Sequence, residues 1–207
     1  MTLTDAVRTL LLVRHGRTAW NAEQRAQGHA DVPLDEVGRQ QAVALTQALS
    51  ARRIARVWSS DLARAAQTAA VVADAFDVEI EYDARLREFD VGERQGLTAA
   101  EFSARFPSVP LGWGGYFGDH GVPGAETVEE VRSRVMAAIR SCAQALDPGE
   151  LGVVVMHGAA LRVGLFGLLG WPWELVDDVA PMRNCHWAEV RFDASDRVQL
   201  AAYNAAR

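Results

Sequence analysis

The sequence predicts an α/β fold, a three-layer sandwich in which helices cover both faces of a mostly parallel sheet of about six strands. Short apolar runs alternate along the chain with longer segments whose apolar residues recur every three or four positions. Two final apolar runs, residues 186–192 and 198–203, are separated by a short polar stretch, which predicts a closing hairpin. Because 207 residues, 49% of them apolar, can bury a full core, we expect a single domain over residues 1–207.

The first part of the chain has the pattern strand, helix, strand. Residues 9–13 form a continuous apolar run that ends at an Arg-His-Gly sequence, which indicates a buried strand followed by a loop. Thr18 is a candidate N-cap for a helix, and residues 35–49 form a further helical segment. The apolar and β-branched residues 54–58 predict the second strand.

The pattern continues in the second part. Apolar steps of three and four predict a helix over residues 62–76 with Ser60 as its N-cap, and the same spacing returns over residues 128–146. Residues 151–156 predict another strand, which ends, like the first, at a histidine followed by a glycine. Sites in parallel sheets form beyond the carboxyl ends of the strands, so both His-Gly pairs fall where chemistry is expected.

Composition excludes several kinds of function. All 21 basic residues are arginine, which rules out a Schiff-base lysine and a lysine-based phosphate loop. The formal charge of -6 argues against a broad nucleic-acid or membrane surface, although clustered arginines can form a local anion site. The longest uncharged apolar stretch, residues 163–173, is far shorter than the roughly 20 residues that cross a bilayer. Since the N-terminus also lacks a signal-peptide pattern, we expect a cytoplasmic protein.

The cysteines and histidines indicate no cofactor. Cys142, in a helical pattern, and Cys185, in a predicted strand, are expected to be buried reduced thiols rather than a disulfide. The five histidines show no paired spacing on a helix, and no cysteine cluster is present. We therefore expect neither a metal site nor another cofactor.

Residues 107–124 depart from the regular pattern. They contain six of the 17 glycines and several aromatic side chains, among them Trp113 and Tyr116. We interpret this segment as a Gly-rich lid or substrate loop, with a plain surface excursion as the alternative.

Two strand ends carry side chains suited to phosphate chemistry. His15 follows a buried strand, although a lone buried histidine is more often a packing residue with one hydrogen bond. Arg64 lies in the first turn of the next predicted helix, where backbone N–H groups, the helix dipole and a guanidinium together favour phosphate. The alternative for Arg64 is a surface ion pair with Asp61.

The sequence of residues 12–21, LVRHGRTAWN, resembles the signature of the histidine phosphatase superfamily, in the branch that contains cofactor-dependent phosphoglycerate mutases and related phosphatases. The resemblance continues in order along about three quarters of the chain. The further matching pieces are residues 25–28, 31–34, Gly38 with Gln41, 60–64 with Thr68, 86–88 with Gly92 and Gly96, 124–127, and 156–158.

The resemblance implies a role for each site residue. His15 is the nucleophile, because a neutral imidazole can attack phosphorus and a phosphohistidine divides the displacement into two easier steps. Glu88 is the proton donor, because a neighbouring anion raises the pKa of a carboxylic acid. The implied phosphate-binding residues are Arg14, Asn21, Arg64 and a cationic His157, which is also catalytic.

The residues alone leave alternatives for two of these assignments. Glu88 can instead form a salt bridge with Arg85 or Arg87, and His157 can be a packing residue at a strand end. With the family pattern we favour the catalytic roles, since His157 follows a strand end just as His15 does.

The implied function is metal-independent hydrolysis of a small phosphorylated metabolite, most naturally a sugar phosphate or a phosphoglycerate derivative. Its substrate-binding residues are expected to be Gln27, Gly28, Trp113 and Tyr116. The resemblance implies that mutases of this superfamily usually have a larger insertion after the glutamate and a basic substrate clamp. Only 37 residues separate Glu88 from Glu126 here, and no lysine is present, so the resemblance favours a phosphatase over a mutase. Phosphoglycerate mutase-type transfer is the alternative function, and a catalytically silent domain that binds a phosphorylated ligand is a less favoured one. The sequence leaves open whether the protein forms a homodimer.

Overall fold

Six strands form one sheet in the computed structural model, which describes residues 7–109 and 121–206. In chain order they are β1 Arg8–Arg14, β2 Arg56–Ser59, β3 Ile80–Tyr82, β4 Leu151–Met156, β5 Trp187–Phe192 and β6 Val198–Ala205. Their order across the sheet is β3-β2-β4-β1-β5-β6. Strands β1 to β4 and β6 run in one direction, and β5 alone runs in the opposite direction. The predicted mostly parallel six-stranded sheet is confirmed.

Helices cover both faces of this sheet, as predicted. They are α1 Ala19–Ala22, α2 Glu36–Leu49, α3 Ala63–Phe76, α4 Ala99–Arg105, α5 Val128–Gln144 and α6 Gly158–Leu169. Side chains of a strand point alternately to its two faces. Accordingly Leu11 and Val13 of β1 pack with apolar residues of α2 and α3, whereas Leu10 and Leu12 pack with α5 and α6.

Two local expectations are wrong. Ser60 is not the N-cap of α3, because the helix begins at Ala63 with Leu62 as its N-cap and without a side-chain cap bond. The Ser60 hydroxyl accepts from the Leu62 N–H at 3.3 Å and is bonded to His157 Nε2 at 2.8 Å. Cys185 lies in a turn at a φ of 55° rather than in a strand. Both Cys185 and Cys142 are buried and free of any disulfide, as expected.

The loop after β1 is fixed by close backbone packing against the start of α2. A Cβ atom on Gly16 would lie 2.6 Å from the Gly38 carbonyl oxygen, so only glycine fits. The Gly16 N–H donates to Thr68 Oγ1 of α3 at 3.0 Å. These contacts hold the preceding residue, His15, at the carboxyl edge of the sheet.

The predicted lid is described only at its ends. Residues 107–109 follow α4, and residues 121–124 lead into a bridge between Val91 and Ala125. Trp113 and Tyr116 lie outside the described residues. Within the part of the chain that the structure describes, no helix combines the length and the apolarity required to cross a membrane.

Candidate active site

Three neighbouring strands bring the predicted site residues to one edge of the sheet. Strand β1 ends at Arg14 and is followed by His15, β4 is followed by His157, and the loop after β2 leads to Arg64 in the first turn of α3. The ring centroids of the two histidines are 5.2 Å apart. Parallel strands place their carboxyl ends together, which is why residues so distant in sequence meet here.

His15 is held as a neutral ring with one defined free nitrogen. Its Nδ1 lies 2.7 Å from the Gly16 carbonyl oxygen, which can only accept, so Nδ1 carries the proton. Burial, followed by the nearby charges of Arg64 and Arg14, lowers the pKa of His15 well below its ordinary value. The other nitrogen, Nε2, therefore keeps its lone pair at neutral pH.

The buried Arg64 and the half-buried Arg14 provide fixed positive charge. Arg64 is 0% exposed and donates to the carbonyl oxygens of Gly28 and Ala30, both at 2.8 Å. Arg14 donates to the Met182 carbonyl oxygen at 2.5 Å. Burial lowers the pKa of Arg64 to about 10, and it lowers the pKa of Arg14 as well, but both remain charged at neutral pH. Among the described residues, neither buried Nε atom has a hydrogen-bond partner.

The surroundings of His157 disfavour the cationic form that the family resemblance implies. Its ring is fully buried, and burial together with the charge of Arg64 lowers the pKa of His157 well below its ordinary value. Nε2 is bonded to the Ser60 hydroxyl, while Nδ1 has no hydrogen-bond partner among the described residues. A neutral imidazole can still donate one hydrogen bond to a ligand oxygen.

The Glu88 carboxylate lies at the start of α6. One oxygen accepts from the Ala160 N–H at 2.8 Å and from the Phe89 N–H at 3.0 Å, and the other accepts from the Ala159 N–H at 3.1 Å. A helix N-terminus is a favourable place for a carboxylate because its first N–H groups lack partners within the helix. The side chain consequently has one defined position.

The surface ion pairs considered from the sequence do not occur. Arg87 pairs with Asp61, and Arg85 pairs with Asp83. Asp61 is thus occupied by a residue other than Arg64, and both arginines beside Glu88 are engaged elsewhere.

Asn21 and Gln27 are joined through Thr18. The Thr18 N–H donates to Asn21 Oδ1 at 3.1 Å in a capping box of α1, and the Thr18 hydroxyl donates to Gln27 Oε1 at 3.1 Å. Because the amide oxygen of Asn21 faces the helix cap, its NH₂ group is the part available to a ligand.

A cavity of about 510 Å³ opens over these groups. Its lining includes six of the predicted site residues: Arg14, His15, Asn21, Gln27, Arg64 and Glu88. His157 lies behind His15, and Gly28 contributes through its bond to Arg64, so neither is part of the lining. The cavity is also lined by Trp20, Arg94 and Arg162, which were not among the predicted site residues. For Arg162 a signal existed, since it lies four residues after Gly158 and therefore on the same helix face.

Metal-ligating side chains do not cluster in the described residues. Within 7–109 and 121–206, no three histidine, cysteine, aspartate or glutamate side chains are grouped so that they could hold a metal ion. The charge at the cavity comes instead from arginine.

Comparisons with known proteins agree with this geometry. The sequence model of the histidine phosphatase superfamily (branch 1) matches residues 10–205. A probable phosphoglycerate mutase GpmB from Salmonella choleraesuis is 37% identical over 190 residues, which cover 89% of this chain and 85% of that protein. The structure of a mycobacterial glucosyl-3-phosphoglycerate phosphatase in complex with VO3 has a TM-score of 0.86 and 31% identity, covering 96% of this chain and 99% of that one. Mycobacterial hydrolase 1 has a TM-score of 0.87 and 30% identity, with coverage of 97% and 100%.

Proposed function

Because the chain belongs to the histidine phosphatase superfamily and is a phosphatase, we propose that it hydrolyses a small phosphate monoester through a phosphohistidine at His15, without a metal ion. One observation carries this proposal most directly: the hydrogen bond from Nδ1 to the Gly16 carbonyl oxygen leaves Nε2 as a neutral nucleophile beside the guanidinium groups of Arg14 and Arg64. Positive charge next to a neutral base is unfavourable for packing alone, but it suits a phosphate dianion.

In the first step, His15 Nε2 forms a bond to phosphorus while the phosphorus–oxygen bond of the ester breaks. Arg14 and Arg64 stabilise the charge on the transferring phosphoryl group, to which the Asn21 amide donates a further hydrogen bond. The leaving alkoxide takes a proton from Glu88, which acts as the general acid of this step.

In the second step, water attacks the phosphohistidine. Glu88, now ionised, accepts a proton from that water, the phosphorus–nitrogen bond breaks, and inorganic phosphate leaves. His15 returns to its neutral form and Glu88 to its protonated form, so the two steps balance without a cofactor.

We infer that the substrate is a sugar phosphate or a phosphoglycerate derivative. A cavity of about 510 Å³ suits a small metabolite. The similar mycobacterial structure is named as a glucosyl-3-phosphoglycerate phosphatase, which supports this class. Gln27, Gly28, Trp113 and Tyr116 remain the predicted substrate-binding residues.

Phosphoglycerate mutase activity is the second candidate, because the Salmonella relative is named as a probable mutase. The histidine step is shared, and only the acceptor differs: a bound sugar acid in a mutase, water in a phosphatase. The short segment between Glu88 and Glu126 and the absence of lysine favour water. A silent binding domain is disfavoured, because it needs neither a nucleophile nor a proton donor.

A cytoplasmic location and a homodimer stay predictions.

Release of phosphate from p-nitrophenyl phosphate in the presence of EDTA tests the proposal. We expect turnover with EDTA, a loss of about a thousandfold or more in His15→Ala, and little change in the control His186→Ala, whose ring bonds to the Asn204 carbonyl oxygen instead. Activity that requires added metal, or that survives in His15→Ala, would overturn it. Conversion of 3-phosphoglycerate to its 2-isomer faster than its hydrolysis would instead support the mutase.

A further inference from the structure

Arg134, on α5, lies outside the cavity lining but forms a bidentate ion pair beside the segment that carries Glu88. Its Nε donates to one carboxylate oxygen of Glu126 at 2.8 Å, and one terminal nitrogen donates to the other oxygen at 2.7 Å. Burial alone would raise the pKa of Glu126. The hydrogen bonds from Arg134 and from the Asp90 N–H outweigh burial and hold this pKa below its ordinary value. Both partners are therefore charged at neutral pH.

The remaining N–H groups of Arg134 bind the backbone at Glu88 and at residues just before it in the chain. They donate to the carbonyl oxygens of Arg85 at 2.9 Å, Arg87 at 2.7 Å and Glu88 at 2.9 Å. A guanidinium has five N–H groups, and all five are used. Arg134 consequently has no donor left for a substrate, so its effect on the reaction has to pass through the residues it holds.

Glu126 binds the backbone on the C-terminal side of Glu88. It accepts from the Asp90 N–H at 2.8 Å, and its own N–H donates to the Asp90 carbonyl oxygen at 2.9 Å. His29 Nε2 lies 2.8 Å from the same Glu88 carbonyl oxygen that Arg134 contacts. The backbone is thus fixed immediately before, at and after Glu88.

We propose that Arg134, together with Glu126, is a positioning residue that holds the Glu88 backbone so that the carboxyl group meets the leaving oxygen. The proposal rests on the proposed role of Glu88 as proton donor. Proton transfer requires the donor and acceptor atoms at hydrogen-bond distance, and a displacement of about 1 Å can cost on the order of a hundredfold in rate.

The leaving group distinguishes positioning from a purely structural role. p-Nitrophenolate leaves readily without a proton, whereas the alkoxide of glycerol 3-phosphate requires one. Glu88→Gln is the reference variant: in single-turnover measurements it should slow the release of glycerol from glycerol 3-phosphate by about a hundredfold or more, and the release of p-nitrophenolate from p-nitrophenyl phosphate far less. Single turnover isolates the first step, because Glu88 also takes part in the second step, which the two substrates share.

Arg134→Gln should reproduce that pattern, with a loss in the single-turnover rate of about a hundredfold on glycerol 3-phosphate and less than about fivefold on p-nitrophenyl phosphate. KM should stay nearly constant because the phosphate-binding arginines are untouched. The double variant with Glu88→Gln should lose little more than Glu88→Gln alone, since both act on one proton. Arg132→Gln, on the same helix but paired with Glu129 at the surface, is the matched control and should behave like the unaltered protein.

Glu126→Gln provides a second variant in case Arg134→Gln does not fold, and it should show the same leaving-group dependence. Equal slowing of both substrates by the Arg134 and Glu126 variants would overturn the proposal, as would an effect confined to KM. If Glu88→Gln itself shows no leaving-group dependence, the assignment of Glu88 as proton donor fails instead. The two failures are therefore distinguishable.

Discussion

At the scale of single residues, the chemistry depends on which atoms of ordinary side chains are left free. One hydrogen bond to the Gly16 carbonyl oxygen determines which nitrogen of His15 can attack. Gly158 acts in a comparable way on Arg14, because a Cβ atom there would lie 3.2 Å from Arg14 Nε and 3.3 Å from Arg14 Cδ. The absence of a side chain at Gly158 leaves space for the guanidinium.

We expect Gly158→Ala to weaken phosphate binding without unfolding the protein. The added methyl group displaces Arg14, and loss of one charge-assisted hydrogen bond corresponds to about a tenfold rise in the inhibition constant of inorganic phosphate. Alanine has the higher helix propensity, so the free energy of unfolding should change by no more than about 1 kcal/mol. Unchanged inhibition by phosphate would show that Arg14 does not depend on this space.

At the scale of elements, the site depends on the contact between the loop after β1 and the first turn of α2. A Cβ atom on Gly38 would lie 2.0 Å from the Arg17 carbonyl oxygen and 2.8 Å from the Arg17 nitrogen. These are backbone atoms, which cannot move aside as a flexible side chain can. Asp35 caps the same helix turn by accepting from the Gly38 N–H at 2.7 Å.

Gly38→Ala should therefore destabilise the fold and reduce activity together. Overpacking of this kind costs about 1–3 kcal/mol of unfolding free energy, measurable by urea denaturation. The displaced loop should also misplace His15 and lower kcat. Gln40→Ala, on the exposed side of the same helix, is the control and should change stability by less than about 0.5 kcal/mol. Equal stability of the two variants would contradict the close packing.

The sequence predicted most of the strands and helices, including the four-residue strand β2, but it missed β3 and α4. Strand β3 has only three residues, none of them buried, so its pattern is weak. Helix α4 had a readable capping box, since Thr98 and Glu101 bond each other's backbone, but only Phe102 is buried within it. Short elements depend on neighbours that a local pattern does not contain.

The same limit applies to the site. His15 and Arg64 were found because they lie at strand and helix ends, where a motif gives their positions. The bonds from Arg134 to the backbone at Glu88 span 46 residues and could not be inferred from spacing. The protonation state of His157 was also beyond the sequence, because it depends on complete burial beside Arg64.

At the scale of the whole molecule, the two buried histidines link stability to pH. Both have folded-state pKa values below the ordinary value of about 6.5, so below that pH the unfolded chain binds protons that the folded chain does not. Stability is therefore retained above about pH 6.5 and lost as the pH falls towards the folded pKa values. Each histidine contributes a slope of up to about 1.4 kcal/mol per pH unit.

Urea denaturation between about pH 7 and pH 5, above the main titration of carboxylates, measures this slope. The double variant His15→Asn/His157→Asn should show a clearly shallower decline than the unaltered protein. Parallel curves for the two proteins would mean that the histidines do not carry the linkage.

The covalent intermediate is tested most directly by the stereochemistry of phosphoryl transfer. A phosphate monoester made chiral at phosphorus with oxygen isotopes is turned over with an alcohol as acceptor, and the configuration of the product is determined. Two successive in-line displacements, first by His15 and then by the acceptor, predict retention of configuration. Inversion would mean that the acceptor attacks the substrate directly, and it would contradict a phosphohistidine on the reaction path.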